Sequence, residues 1–139
     1  MILKDQVIVT AGVRSKLTGN LYTPESLQEC LERQKEMKIP GCWQFSDQPG
    51  VTKPPFAGNV DIEFLPFYGK LTKIEDNKLM ADIYVTKTPS GQELSAYLES
   101  RKNVKIDELV EFRIGSFVKL SEDRIAELNK ILIIKVVLL

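Results

Sequence analysis

The run Lys130-Ile131-Leu132-Ile133-Ile134-Lys135-Val136-Val137-Leu138, followed by Leu139, decides the fold class. From Ile131 onward the run is isoleucine, leucine and valine apart from Lys135, a composition typical of a strand that is buried on both faces. It is too short to cross a bilayer. A second strand pattern, Val110 to Leu120, precedes it, and Ser121-Glu122-Asp123 begins a turn or short helix between them. We therefore expect two paired strands to close the domain.

Further elements can be read upstream of these two strands. Thr23-Pro24 and Thr88-Pro89 each predict a helix start, since threonine caps free amides and proline at the first helical position has no amide to leave unpaired. Strand patterns complete the set: Gln6 to Thr10, Val60 to Phe64, and a hairpin of Phe67 to Ile74 and Leu79 to Val85 around Glu75-Asp76-Asn77-Lys78. The sequence predicts one mixed domain of helices and strands spanning residues 1–139.

Composition excludes several classes of function. The chain has no histidine, which removes the commonest general base and metal ligand. Nineteen basic residues balance nineteen acidic ones, so no long-range field favours nucleic acid, and the zero net charge permits association with other chains. Cys30 and Cys42 lack a metal-binding spacing, and Cys30 falls on the apolar face of the first helix. We expect inert thiols in a reducing cytosol, no metal and no cofactor.

One segment, from about Pro40 to Gly58, is unusual for a domain of this size. It is rich in proline and glycine, which predicts irregular structure, yet it also carries Trp43, Phe45 and Phe56. Two interpretations stay open. The rings pack on their own domain as in an Ω-loop, or they form the contact surface for a partner protein.

Ser116 is the one candidate nucleophile that the residues themselves suggest. It follows Gly115 in a predicted strand, where glycine permits the close backbone approach of an oxyanion hole but equally marks a bulge or packing contact. The Ser-x-x-Lys spacing to Lys119 requires a helix, because on a strand these two residues point to opposite sides.

Four stretches, in order along the chain, together resemble the prohead protease family of tailed phages, which is similar to herpesvirus assemblin in fold. They are Gly19-Asn20-Leu21-Tyr22-Thr23-Pro24-Glu25-Ser26-Leu27, Tyr68-Gly69-Lys70-Leu71 through Asp76-Asn77-Lys78-Leu79-Met80-Ala81-Asp82-Ile83, Thr88-Pro89-Ser90-Gly91-Gln92-Glu93-Leu94, and Phe112-Arg113-Ile114-Gly115-Ser116-Phe117. The resemblance implies an α+β fold: a mostly antiparallel β-barrel or curved sheet with two main helices.

The chain departs from this family in the residues that would carry out catalysis. Family members carry a His-Pro dipeptide between the first helix and the hairpin, and Asp47-Gln48-Pro49 stands in that place here. Glutamine does not titrate and cannot act as a general base. The resemblance therefore implies that Gln48 and Ser116 are vestiges of a catalytic pair, and we expect them to lie near each other.

The function implied by the resemblance is structural. We expect an auxiliary, decoration or cement subunit of a phage head, assembled in the host cytoplasm and retained in the virion. Its partners would be the major capsid protein and neighbouring capsid subunits, contacted through Trp43, Phe45 and Phe56, with no nucleic acid, membrane or small-molecule substrate. The alternatives are an active maturation peptidase that uses Lys119 or a carboxylate as its base, and an internal scaffold or core protein.

Overall fold

The computed structural model of the protein describes residues 1–53 and 64–139. The strands are β1 (Ile2–Thr10), β2 (Leu21–Tyr22), β3 (Ile39–Phe45), β4 (Phe67–Glu75), β5 (Lys78–Val85), β6 (Val110–Leu120) and β7 (Ile125–Leu138). The helices are α1 (Pro24–Gln34), α2 (Pro89–Glu99) and the short α3 (Ile106–Leu109). No helix within the described part of the chain has both the length and the apolar character that crossing a membrane requires.

The strands form one mixed sheet in the order β1-β5-β4-β3-β7-β2, with β6 also paired to β7. β7 pairs in parallel with β2 at its start and with β3 at its end, and the other pairings in the described chain are antiparallel. The sheet curls until β6 comes to lie opposite β1, which gives a half-barrel. The expected α+β fold with a curved sheet is confirmed at this level.

Both main helices begin as the sequence predicts. The Ser26 amide donates to the Thr23 hydroxyl at 3.3 Å at the start of α1, and the Gly91 amide donates to the Thr88 hydroxyl at 3.1 Å at the start of α2. These bonds satisfy amides that have no partner within the helix. The apolar face predicted for the first helix is also confirmed, since its buried residues include Leu27, Cys30, Leu31 and Gln34.

The β4–β5 hairpin is confirmed as well. Its two turn residues, Asp76 and Asn77, have φ angles of 51° and 62°. Two consecutive residues in this left-handed region make the type I′ turn whose twist matches that of the flanking strands.

The core lies inside the curl of the sheet, against α1 and α2. The members of this cluster that are 2% exposed or less are Ala11, Leu27, Cys30, Ile39, Trp43, Phe67, Leu71, Leu79, Ala81, Ile83, Leu94, Leu128, Ile131, Ile134, Val136 and Leu138, and the β1 residues Ile8 and Val9 are 5% and 6% exposed. Strands from both ends of the chain thus contribute to one core.

The predicted limits of the first and last strands were too short. β1 begins at Ile2 and β7 begins at Ile125, because each continues its pairing beyond the apolar run that marked it in sequence. The prediction that the last strand is buried on both faces is correct only for its end, from Val136 to Leu138. Earlier in the strand, Leu132 is 38% exposed. The register of β7 against β6 shifts near Leu132, so that this side chain leaves the core face.

The prediction of irregular structure from Pro40 onward is wrong for the first residues of that segment, which belong to β3. Pro40 lies opposite Tyr68 at the end of the short β3–β4 ladder, where an absent amide can be tolerated. A Cβ atom on Gly41 would collide with the ring of Phe67, so this glycine serves packing and does not mark a turn. Most of the strand predicted at Val60 to Phe64 lies outside the described residues.

Side chains of α1 take the place of a strand along one stretch of β7. Between the residues that pair with β2 and those that pair with β3, this edge of β7 has no strand neighbour in the described chain. The Gln34 side chain accepts from the Ile131 amide at 2.8 Å and donates to the Ile131 carbonyl at 2.9 Å. Arg33 donates to the Asn129 carbonyl at 2.5 Å. The helix therefore satisfies main-chain groups that a neighbouring strand would otherwise bind.

Candidate binding groove between β1 and β6

The expected approach of Gln48 to Ser116 is wrong. Ser116 lies opposite Ile131 of β7, whereas Gln48 follows the end of β3, where Phe45 lies opposite Leu138. On the order of 20 Å of strand separates these two positions along β7, at about 3.3 Å per residue. The segment containing Gln48 then folds back so that Lys53 bridges to Trp43 of β3. The match of Asp47-Gln48-Pro49 to a catalytic loop fails on this geometry.

Among the described residues, the Ser116 hydroxyl makes no side-chain hydrogen bond to a general base. Lys119 pairs with Glu127 on the opposite side of the strand from Ser116, as expected for residues three apart. A Cβ on Gly115 would come within 2.7 Å of the Ile133 methyl group, so the glycine relieves a packing contact.

The aromatic side chains expected to face a partner are placed differently. Trp43 is only 2% exposed, and its indole N–H donates to the Ser90 carbonyl at 3.0 Å. Phe45 is partly buried and packs edge-on between Trp43 and Tyr97, with ring centroids 5.3 and 6.0 Å away. The partner-surface prediction is therefore wrong for Trp43, which joins β3 to α2 within the domain. Phe56 lies outside the described residues.

A groove of about 690 Å³ opens where β1 and β6 face each other at the two ends of the curled sheet. Consecutive residues line it on both sides, 5–10 from β1 and 110–114 from β6. Because side chains alternate between the two faces of a strand, a groove against one face would be lined by every second residue. Lining by consecutive residues means that the groove runs along two strand edges. No ladder joins these edges in the described chain.

The walls of the groove are apolar, and polar residues lie at its rim. Ile8 and Val9 are nearly buried, while Val7, Val13 and Leu17 are 38%, 63% and 67% exposed. On the β6 side, Phe112 and Ile114 are partly buried. Nine of the twenty lining residues are apolar and six are charged, so the groove offers both apolar and charged contacts to a ligand.

Charged side chains occupy the two ends and the middle of the groove. Arg14 and Lys16 lie in the loop after β1, and Asp107 lies in α3 before β6. Between the ends, Arg113 and Glu111 form an ion pair at 3.2 Å. Arg14 donates only to the carbonyls of Gly19 and Asp123, at 3.0 Å each, so a main-chain contact holds it and no carboxylate neutralises it within the described chain.

Neither cysteine provides a nucleophile. Burial raises the pKa of the Cys30 thiol, against the opposing effect of Arg33, and burial likewise raises the pKa of Cys42 against Lys135. Both thiols therefore stay protonated at neutral pH. The Cys30 thiol also donates to the Gln34 side-chain oxygen at 3.1 Å. The expected burial of Cys30 is confirmed. Among residues 1–53 and 64–139, no three His, Cys, Asp or Glu side chains converge on a possible metal position.

Sequence reasoning missed the groove because its walls lie about a hundred residues apart in the chain. One signal was available: Val13 and Leu17 are apolar residues in a glycine-bounded loop that otherwise holds polar residues. Comparison with protein-family models, with curated proteins and with solved structures found no match.

Proposed function

We propose that this protein is a non-catalytic structural subunit of a tailed-phage head, with a prohead protease-like fold, that binds the major capsid protein. The ordered resemblance of four stretches to the prohead proteases supports the viral setting. The observation that carries the non-catalytic role is that the Ser116 hydroxyl makes no hydrogen bond to a basic side chain among the described residues, in a chain without histidine. Serine needs such a base at neutral pH.

The support for lost catalysis differs from what the sequence motif implied. Gln48 gives no support to lost catalysis, because it follows β3, which ends opposite Leu138 of β7, whereas Ser116 lies opposite Ile131. The groove between β1 and β6 supports binding instead, since it combines an apolar wall with two unpaired strand edges in the described chain. An auxiliary head protein needs a contact surface of this kind and needs no reacting group.

We expect no peptidase activity. The purified chain, incubated with capsid and scaffold proteins of its phage, should leave both intact, because an unactivated serine hydroxyl is a poor nucleophile. A fluorophosphonate probe should label it no more than the Ser116→Ala variant does. Stoichiometric labelling of Ser116, or cleavage that Ser116→Ala abolishes, would establish the peptidase alternative.

We also expect the protein to remain in the mature virion in many copies. A decoration subunit is bound to the finished shell, whereas a maturation peptidase or an internal scaffold is largely lost as the head matures. Quantitative mass spectrometry of purified virions, with the major capsid protein as internal standard, measures the ratio. A trace amount in virions together with abundance in immature heads would favour the scaffold or peptidase.

A further inference from the structure

We propose that the groove between β1 and β6 binds an extended segment of a partner protein, which adds to the free edge of β6 as a further strand. This inference deepens the proposed function and rests on it for the expected source of the segment, the capsid protein. The recognition itself follows from the groove alone, so it can be tested on the isolated chain.

The unpaired backbone of the two edges is the first support. β1 pairs only with β5, and β6 pairs only with β7, in the part of the chain that the structure describes. The Asp5 amide donates to the Asp82 carboxylate and the Val110 amide to the Ile106 carbonyl. The other outward-facing amides and carbonyls of the two edges have no strand partner within the described chain and face the groove. An extended peptide satisfies such groups by strand addition, a common mode of peptide recognition. The six residues 5–10 of β1 span about 20 Å. Because some Cα atoms of β1 and β6 lie within 8 Å of each other, the added strand is placed where the two strands diverge and occupies only part of that length.

The apolar wall defines which side chains the segment carries. Phe112 and Ile114 of β6 face the inside of the curl, opposite Val136 and Ile134 in register. Ile8 and Val9 form the facing wall. A strand added to β6 would direct every second side chain toward this apolar interior and the others toward solvent. The segment should therefore carry apolar residues at alternate positions.

The charges at the two ends define the direction of the segment. Arg14 and Lys16 follow β1, and no carboxylate pairs with either of them among the described residues. Asp107 lies at the other end, where Ile106 and Leu109 of α3 line a smaller pocket together with Leu3 of β1. Asp107 too has no ion-pair partner in the described chain. Complementarity favours a segment with an acidic residue near Arg14 and Lys16 and a basic residue near Asp107.

A displayed library of random twelve-residue peptides, selected on the immobilised full chain, tests this inference. The enriched peptides should alternate apolar and polar residues, lack proline in the centre and carry opposite charges at their two ends. A synthetic copy of an enriched peptide should slow amide exchange at residues 5–10 and 110–114 of the protein. Leu17→Glu should weaken its binding at least tenfold, and Lys16→Glu should weaken binding of peptides with an acidic end.

Matched controls are available on the exposed surface. Val51 is 51% exposed and does not line the groove, so Val51→Glu controls for the added charge, and Lys102→Glu controls for the charge reversal at Lys16. Circular dichroism melting curves establish that each variant is folded.

Three results would overturn the inference: no enrichment over the bare support, equal binding to Leu17→Glu and Val51→Glu, or protection of amides away from the groove. These results are separate from the virion copy number. A groove that binds peptides in a protein absent from virions would remove the capsid role and leave the strand-addition site. A protein that is present in virions but binds no peptide would keep the capsid role and remove the strand-addition site.

Discussion

Replacement of Trp43 by alanine is expected to lower the free energy of unfolding by about 3–5 kcal/mol, the usual cost of emptying a buried aromatic site. Trp43 is 2% exposed and packs edge-on against Phe45 with ring centroids 5.3 Å apart. The substitution also leaves the Ser90 carbonyl at the start of α2 without its indole donor. A loss of this size is a large part of the stability of a small domain, which is about 5–15 kcal/mol.

Urea unfolding followed by circular dichroism measures this loss. Phe117→Ala is the matched control, because Phe117 is also an aromatic residue on a strand but is 60% exposed. The control should change the free energy of unfolding by about 0.5 kcal/mol or less. Trp43→Phe keeps most of the apolar volume and loses the indole hydrogen bond, so it should fall between the two. Equal unfolding midpoints for Trp43→Ala and Phe117→Ala would show that Trp43 is not a core residue.

This expectation bears directly on the partner-surface hypothesis. A Trp43→Ala variant that fails to bind capsids would be explained by loss of the fold, and it would say nothing about an interface. The groove variants at Leu17 and Lys16 are better tests of binding, because Leu17 is 67% exposed and Lys16 is also exposed. Variants in the groove therefore test binding, whereas variants at Trp43 test the stability of the fold.

Local signals in the sequence predicted local structure well. The Thr23 and Thr88 caps start their helices as expected, since the interactions involved span three residues. The Asp76-Asn77 turn was also predicted, because a type I′ turn depends on two adjacent residues that tolerate positive φ. In each case the physical cause lies within one short segment of the chain.

Predictions failed where the cause was tertiary. Pro40 and Gly41 favour a loop by local chemistry, yet Gly41 is needed in β3 because the Phe67 ring occupies the space of a side chain. The parallel pairing of β3 with β7 joins residues about ninety positions apart, and no local pattern specifies it. The groove depends on how far the sheet curls before β1 meets β6, which is a property of the whole sheet. The distance between Gln48 and Ser116 also depends on the arrangement of the whole sheet, which no local sequence pattern specifies.

Replacement of Gln34 by leucine is expected to destabilise the protein by about 2–5 kcal/mol, although leucine has a similar volume and is more apolar. Gln34 is 3% exposed and forms hydrogen bonds to both the amide and the carbonyl of Ile131. No strand pairs with this edge of β7 in the described chain, so both main-chain groups would lose their partner inside the protein. Each buried polar group left without a partner costs about 1–3 kcal/mol.

Gln28→Leu on the same helix is the control, since Gln28 is exposed and its side chain donates to Glu32 at 3.3 Å, a contact on the surface of the same helix. It should leave the urea midpoint almost unchanged. Hydrogen exchange adds a local measurement: the Ile131 amide should exchange faster in Gln34→Leu than in Gln28→Leu under conditions where both variants are folded. If the two variants unfold at the same urea concentration and Ile131 stays equally protected, then α1 does not take the place of a strand. The stretch of β7 around Ile131 would then be held by its pairing with β6 alone.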